Sequence, residues 1–135
     1  MIPSSSQLHE LVSETDLLRH HSYLNGQWCS AMSGDTVEVH DPATGALLGE
    51  VASLSSDEAR MAVDAADAAF PDWSRTLPQE RSVVLRRWFD LMHAHKEDLA
   101  RIMVLEQGKP ISEARGEIDY AASFVEYYAE EAKRP

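Results

Sequence analysis

The spacing of apolar positions changes near residue 55. Before it, apolar and polar residues alternate over short stretches, as from Thr36 to His40, which is the two-residue period of a β-strand. Asn25-Gly26 and the segment Asp41-Pro42-Ala43-Thr44-Gly45 separate these stretches, and both sequences are typical of tight turns. Residues 22–54 are therefore predicted to form two short β-hairpins.

From residue 55 onwards, apolar residues recur every three or four positions, the period of an α-helix. Ser55 and Glu58 have the spacing of a capping box, and Pro71 is predicted to end the helix that they begin. A second helix is predicted to begin at Pro78, with Thr76 as its N-cap and Gln79 completing another capping box. Its predicted buried stripe is Val84, Leu85, Trp88, Leu91 and Met92.

Two further helical segments follow. Lys96 to Gln107 continues or restarts the second helix and stops at Gly108-Lys109-Pro110, a glycine followed by a proline. The last helix carries an apolar stripe at alternating spacings of three and four, namely Ile111, Ala114, Ile118, Ala121, Val125, Tyr128 and Ala132. The pattern thus predicts an α+β chain of β-hairpins followed by three or four α-helices.

The region before the hairpins is more polar. Residues 1–21 are predicted to form a polar N-terminal arm that carries a short amphipathic stretch from Leu8 to Leu18. Residues 22–135 form the structured part, with hairpins over 22–54 and helices over 55–135. The total of 135 residues suits one modest domain.

Charge and composition narrow the possible partners and compartment. The net charge of −11 repels phosphate backbones and anionic lipid, so we expect neither nucleic-acid nor membrane binding. No run of apolar residues has the length of a membrane span, and the first residues do not resemble a secretory signal. A single cysteine excludes an internal disulfide, so we expect a cytoplasmic protein.

A search for catalytic side chains finds no convincing group. Cys29 follows Trp28 on a predicted strand without a neighbouring base, so a half-buried strand residue is the simpler interpretation. The histidines lack a recognised zinc spacing, and glycines with the spacing of a phosphate loop are absent. The residues alone therefore predict neither a catalytic nor a cofactor-binding side chain.

Several motifs, taken in order, resemble the N-terminal segment of the NAD(P)-dependent aldehyde dehydrogenase superfamily. They are Tyr23-Leu24-Asn25-Gly26-Gln27-Trp28, Asp41-Pro42-Ala43-Thr44-Gly45, Ala65-Ala66-Asp67-Ala68-Ala69-Phe70 with Trp73, Arg81 with Leu85-Arg86-Arg87-Trp88, Leu105-Glu106-Gln107-Gly108-Lys109-Pro110, and the stretch from Glu113 to Arg134. The last stretch looks most like succinate-semialdehyde dehydrogenases, and enzymes acting on glutarate semialdehyde also fit. Asp41 departs from the asparagine usual at its turn, although both residues can hydrogen-bond their own backbone there.

The resemblance implies that this chain is part of an α/β Rossmann-like cofactor domain within a longer enzyme. Such enzymes oxidise an aldehyde with NADP or NAD and assemble as homo-oligomers. Their nucleophilic cysteine, catalytic glutamate and nucleotide-binding turns lie downstream of the matched region, so we expect the isolated chain to be inactive and to bind no cofactor. The expected partner is the rest of the aldehyde dehydrogenase chain.

The resemblance also implies one partial metal site. Some superfamily members hold a structural monovalent cation with a backbone carbonyl before the Pro-x-Thr-Gly turn and an acidic residue before the Gly-Lys-Pro motif. The matching positions are His40 and Glu106. Two alternatives to the enzyme hypothesis stay open, namely a non-catalytic helical interaction module and a gene fragment without function.

Overall fold

The chain folds as two short β-hairpins followed by four long α-helices, which confirms the predicted α+β class. The computed structural model describes residues 6–134, so the first five residues of the predicted arm and Pro135 lie outside the described range. The strands are β1 (Ser22–Leu24), β2 (Gln27–Cys29), β3 (Thr36–His40) and β4 (Leu47–Ala52). The α-helices are α1 (Ser6–Leu11), α2 (Ser56–Arg75), α3 (Pro78–Ala94), α4 (Lys96–Gln107) and α5 (Ile111–Glu131).

The first hairpin forms around the predicted Asn-Gly turn. Asn25 and Gly26 both have positive φ angles, 46° and 81°, which is the backbone geometry that joins two strands most tightly. Tyr23 therefore lies opposite Trp28 in the antiparallel pair, and their rings meet edge to face with centroids 5.1 Å apart. The prediction of this hairpin is confirmed.

The second hairpin joins β3 to β4 through the predicted Asp-Pro turn. The two strands pair antiparallel from Thr36 opposite Ala52 to His40 opposite Leu47, with an irregularity between Val39 and His40. This hairpin lies against the helices, because Leu48 of β4 is almost fully buried in the first of two hydrophobic clusters.

That first cluster ties the N-terminal residues to the rest of the fold. Leu8 and Val12 pack against Leu48. Partly buried side chains surround them, namely Leu18, which follows a short 3-10 helix (Thr15–Leu17), Val39 of β3, and Ile102 and Leu105 of α4. Two polar contacts reinforce this packing. The backbone N–H groups of Ser13 and Glu14 donate to the carboxylate of Asp98 at 3.1 and 2.9 Å.

The second cluster lies where α5 crosses α4. Ala100, Ala114 and Ile118 form its buried centre, and larger partly buried side chains of the two helices surround them. Since alanine adds only one methyl group, the backbones can approach closely at this crossing. α3 also packs against α5. By contrast, the main partner of α2 within the described residues is β1.

The prediction that Pro71 ends the first long helix is wrong. α2 continues through Pro71 to Arg75, so the proline lies inside the helix. Proline removes only one backbone N–H and strains one turn, and this stretch of α2 is exposed to solvent. The helix ends instead at Arg75, and the N–H of the next residue, Thr76, donates to the carbonyl of Trp73.

The predicted cap of the second long helix is also wrong, although its first residue, Pro78, is correct. Leu77 occupies the N-cap position, and its N–H donates to the carboxylate of Glu80 rather than to Gln79. Thr76 belongs to the end of α2. The capping box of Ser55 and Glu58 is confirmed, and Glu58 additionally accepts the N–H of Met32 at 2.7 Å.

The buried stripes are only partly as predicted. On α3, Val84, Trp88 and Leu91 are exposed, and on α5 Ala121 and Tyr128 are exposed as well. The buried residues of α5 are instead Ala114, Ile118, Ala122 and Ala129, three of which are alanines. Large apolar side chains are left on the outer surfaces of both helices.

Asp98→Asn is expected to destabilise the chain at neutral pH. The stability of the variant should also fall less steeply than that of the unmodified chain as the pH is lowered. The hydrogen bonds from Ser13 and Glu14 hold the pKa of Asp98 below its ordinary value. Because the folded state favours the carboxylate, this stabilisation is present above the ordinary carboxyl pKa and is lost as pH falls through the lowered one. Urea unfolding midpoints, measured from neutral pH to about pH 3, test this.

Asp90→Asn provides the matched control, since Asp90 is an exposed residue of α3. Its profile should follow that of the unmodified chain. Superimposable profiles for both variants and the unmodified chain would show that Asp98 does not hold the N-terminal segment.

Candidate functional site

The two residues of the proposed cation site belong to segments that lie against each other. His40 ends β3 just before the Asp-Pro turn, and Glu106 lies in the last turn of α4. Gly108 follows α4 with a φ of 71°, and a Cβ atom built on it would stand 3.0 Å from Cγ of Pro42. The left-handed backbone and the close approach to Pro42 both require a glycine here. The end of α4 therefore lies against the turn that follows His40.

Asp41 organises this turn through its side chain and its backbone. Its carboxylate accepts the Thr44 hydroxyl at 2.7 Å and the Ala43 N–H at 2.8 Å. Its backbone carbonyl accepts the N–H of Gly45 at 2.7 Å. The hydrogen bonds from Thr44 and Ala43 lower the pKa of Asp41. Because its carboxylate makes these bonds to its own turn, the aspartate forms the turn that asparagine usually forms in the family.

The ring of His40 is engaged within its own hairpin. Nε2 lies 2.9 Å from the carboxylate of Glu38, and Nδ1 lies 3.2 Å from the carbonyl of Gly45. The contact with Glu38, followed by that with Gly45, raises the pKa of His40. Any contribution of His40 to a cation site would therefore come from its backbone carbonyl, as the resemblance implies.

Glu106 borders a small apolar cavity. The cavity has a volume of about 140 Å³ and is lined on its apolar side by residues including Leu8, Val39, Leu48 and Ile102. Glu106 is exposed as a whole residue, yet partial desolvation at this position raises the pKa of its carboxyl group. Within residues 6–134, neither a hydrogen bond nor a positive charge offsets that effect.

A cation held by oxygen ligands is compatible with these features. A desolvated carboxylate without a positive partner is stabilised by a bound cation, and backbone carbonyls are suitable further ligands for a hard ion. Among residues 6–134, histidine, cysteine, aspartate and glutamate side chains do not gather in a group of three that could hold a metal ion. A cation here would need additional oxygen ligands, and its monovalent charge is what the resemblance implies.

Cys29 has the surroundings of a structural residue. Its thiol is half-buried at the end of β2 and donates a long hydrogen bond, 3.7 Å, to the carbonyl of Gln27. The described contacts of the sulfur include neither a histidine nor a cationic side chain, as a thiolate nucleophile requires.

A polar contact joins α3 to α5 over a long sequence separation. The guanidinium of Arg86 reaches Glu126 at 2.8 Å and Glu130 at 2.7 Å on α5. The local sequence patterns gave no signal for this contact, although the two carboxylates lie one helical turn apart on α5.

A model described as the aldehyde dehydrogenase family matches residues 28–135. The chain belongs to the aldehyde dehydrogenase family. It is similar to the NADP(+)-dependent succinate-semialdehyde dehydrogenase GabD of Escherichia coli, with 49% identity over 123 residues, which cover 91% of this chain and 26% of that enzyme. It is also similar to the glutarate-semialdehyde dehydrogenase of Pseudomonas putida, with 50% identity and the same coverage.

A solved aldehyde dehydrogenase structure has the same fold over the matched region. The succinate-semialdehyde dehydrogenase of Burkholderia pseudomallei is 50% identical and superimposes with a TM-score of 0.89, covering 91% of this chain and 26% of that one. The chain thus spans about a quarter of the length of the curated relatives it matches. The recognised family and the assignment to the N-terminal part of its Rossmann-like domain are confirmed.

Gly108→Ala and Gly116→Ala are expected to change stability in opposite directions. At Gly108 an alanine must adopt a left-handed backbone and displace Pro42, so we expect a loss of about 1–2 kcal/mol or more. At Gly116, inside α5, a Cβ atom meets nothing within 4 Å, so alanine should gain about 0.5–1 kcal/mol. Urea unfolding of both variants measures the difference. Equal effects would mean that Gly108 neither needs its left-handed backbone nor lies against Pro42.

Proposed function

We propose that this chain is the N-terminal portion of an NAD(P)-dependent semialdehyde dehydrogenase, acting on succinate semialdehyde or a similar aldehyde. The single observation that supports it is the similarity of nine-tenths of the chain to semialdehyde dehydrogenases at about half identity. The overall reaction joins the aldehyde, water and NAD(P)⁺ and yields the carboxylate, NAD(P)H and two protons. NADP or NAD accepts the hydride when it is bound to the complete enzyme.

The proposed role of this chain within that enzyme is structural. Residues 22–135 would form the first part of the aldehyde dehydrogenase domain, preceded by residues 1–21 as an arm. The isolated chain would bind no cofactor and catalyse no oxidation, because the resemblance implies that the cysteine, the glutamate and the nucleotide-binding turns lie downstream of the matched region, which is about a quarter of its relative. Its partner would be the rest of an aldehyde dehydrogenase polypeptide, in a homo-oligomer and in the cytoplasm.

Among residues 6–134, the structure has no helix that combines the length and the apolar composition of a membrane span.

A non-catalytic interaction module is the second candidate, and the large apolar side chains left uncovered on α2, α3 and α5 favour it. The two candidates differ in one measurable property. A module would bind a partner without restoring oxidation, whereas the N-terminal portion of an enzyme would restore it.

The isolated chain should not reduce NADP⁺ in the presence of succinate semialdehyde. Co-expression with a polypeptide spanning the unmatched three-quarters of the Escherichia coli relative should restore reduction, because together they supply every part of that enzyme. Absorbance of the reduced cofactor is the measurement, and the Escherichia coli polypeptide expressed alone is the control. Turnover by the isolated chain, or none by the co-expressed pair, would contradict the proposal.

We further propose that the backbone carbonyl of His40 and the carboxylate of Glu106 contribute to a structural site for a monovalent cation. Replacing choline with sodium or potassium in the buffer should then raise the melting temperature of the chain, since binding to the folded state alone stabilises it. The effect should grow as pH rises through the raised pKa of Glu106, because only the carboxylate binds the ion.

Glu106→Gln should abolish this dependence on the cation, while Glu113→Gln, an exposed carboxylate in the first turn of α5, should retain it. The melting temperatures of the three proteins in the two buffers decide the question. The same cation effect in all three would exclude a role for Glu106.

A further inference from the structure

Three sulfur-containing residues line one cavity between the first β-hairpin and α2. They are Cys29 at the end of β2, Met32 in the loop that follows, and Met61 on α2. The cavity has a volume of about 300 Å³, and Leu24 and Glu58 are among its other lining residues. We call it the sulfur cavity.

The register of the hairpin places Cys29 on the side of β2 that lines this cavity. Leu24 lies opposite Gln27, two residues before Cys29, so the three side chains share one face of the hairpin. Tyr23 and Trp28 alternate with them and occupy the other face. All three residues of the first face line the sulfur cavity together with residues of α2. Strand pairing therefore directs the side of β2 that carries the thiol towards the start of α2.

Glu58 sets the position of the two methionines relative to each other. Its carboxylate accepts the backbone N–H of Met32 at 2.7 Å, which ties the loop after β2 to the first turn of α2. Met61 comes three residues later on α2 and so lies on the same side of the helix as Glu58. The other oxygen of this carboxylate accepts the N–H and the hydroxyl of Ser55 at 2.8 and 2.7 Å. Both oxygens are already acceptors, whereas thioether sulfur accepts hydrogen bonds only weakly and is available to a metal ion.

Packing alone does not account for the two methionines of the sulfur cavity. Met32 is 71% exposed and Met61 is 52% exposed, whereas a methionine that fills a gap in a core is buried. A methionine side chain has three rotatable bonds, so both thioethers can close onto an ion without a change in the backbone. The cavity thus combines a fixed frame with ligands that can adjust.

The chemistry of these side chains favours a soft metal ion. Thiolate and thioether sulfur prefer Cu(I), while Mg²⁺ and Ca²⁺ take oxygen ligands. Zinc sites are built from cysteine, histidine and carboxylate side chains, and in the described range 6–134 these do not gather in a group of three. One thiolate with two neutral thioethers also balances the single positive charge of Cu(I).

We propose that the sulfur cavity is a binding site for Cu(I), with Cys29, Met32 and Met61 as its three ligands. The ion displaces the thiol proton of Cys29, which passes to solvent, and each thioether donates a lone pair. Copper remains Cu(I), and sulfur is not oxidised. A metal ligand does not need the neighbouring base that a thiolate nucleophile needs, because the ion itself replaces the proton. This inference does not depend on the proposed function.

The test titrates the complete, reduced 135-residue chain with Cu(I) held by a coloured bathocuproine chelator, without oxygen and with ascorbate present. Transfer of a single equivalent of Cu(I) to the chain should bleach the chelator complex. Cys29→Ser should lower the affinity about a hundred-fold or more, because it removes the charged ligand. Met32→Leu and Met61→Leu conserve side-chain volume and should each lower it about ten-fold.

Met92→Leu is the matched control, because Met92 lies on α3 and is not among the residues that line the sulfur cavity. Its affinity should stay within about two-fold of that of the unmodified chain. Circular dichroism melts show which variants fold, and Met61→Leu changes an exposed side chain, so it keeps the test valid if Cys29→Ser unfolds. X-ray absorption of the copper complex should show sulfur ligands alone.

The proposal is supported by selective loss of affinity in the Met32 and Met61 variants together with an all-sulfur ligand shell. Equal affinities of all three methionine variants would overturn it, because the thiol would then bind the ion alone. Nitrogen or oxygen atoms in the ligand shell, or a failure of the unmodified chain to take Cu(I) from the chelator, would overturn it as well.

Discussion

The close approach of α5 to α3 and α4 is the contact on which the rest of the helical region depends. Ala114, Ala122 and Ala129 are fully buried in it, so three of the four long helices meet along methyl groups rather than large side chains. Such a crossing contributes little hydrophobic area per residue, and partly exposed ion pairs also join these helices. It also directs the large apolar side chains outwards.

Local signals in the sequence predicted the local structure well. Asn25-Gly26 and Gly108 each specify a left-handed backbone, and Ser55 with Glu58 specifies a helix start, so the hairpin, the end of α4 and the start of α2 could be predicted from a few residues. Pro71 could not be interpreted in this way. A proline inside an exposed helix costs one hydrogen bond and some strain, and the neighbouring residues can outweigh that cost.

Tertiary features were harder to predict because they depend on partners distant in sequence. Periodicity identifies an apolar face but does not say whether that face is covered, and Tyr128 and Trp88 were assigned to the interior on that basis alone. The contact of Arg86 with two carboxylates forty or more positions away was likewise outside the range of local patterns. The proximity of the segments that carry His40 and Glu106 followed from family resemblance rather than from spacing.

The proline in α2 has a consequence for whatever lies beside that helix. Because Pro71 has no N–H, the carbonyl of Asp67 one turn earlier receives no backbone hydrogen bond from it, although both residues lie within a continuous helix. On an exposed surface water satisfies this oxygen at little cost. A neighbouring surface that excluded water there would have to offer a hydroxyl, amide or cationic donor to this oxygen.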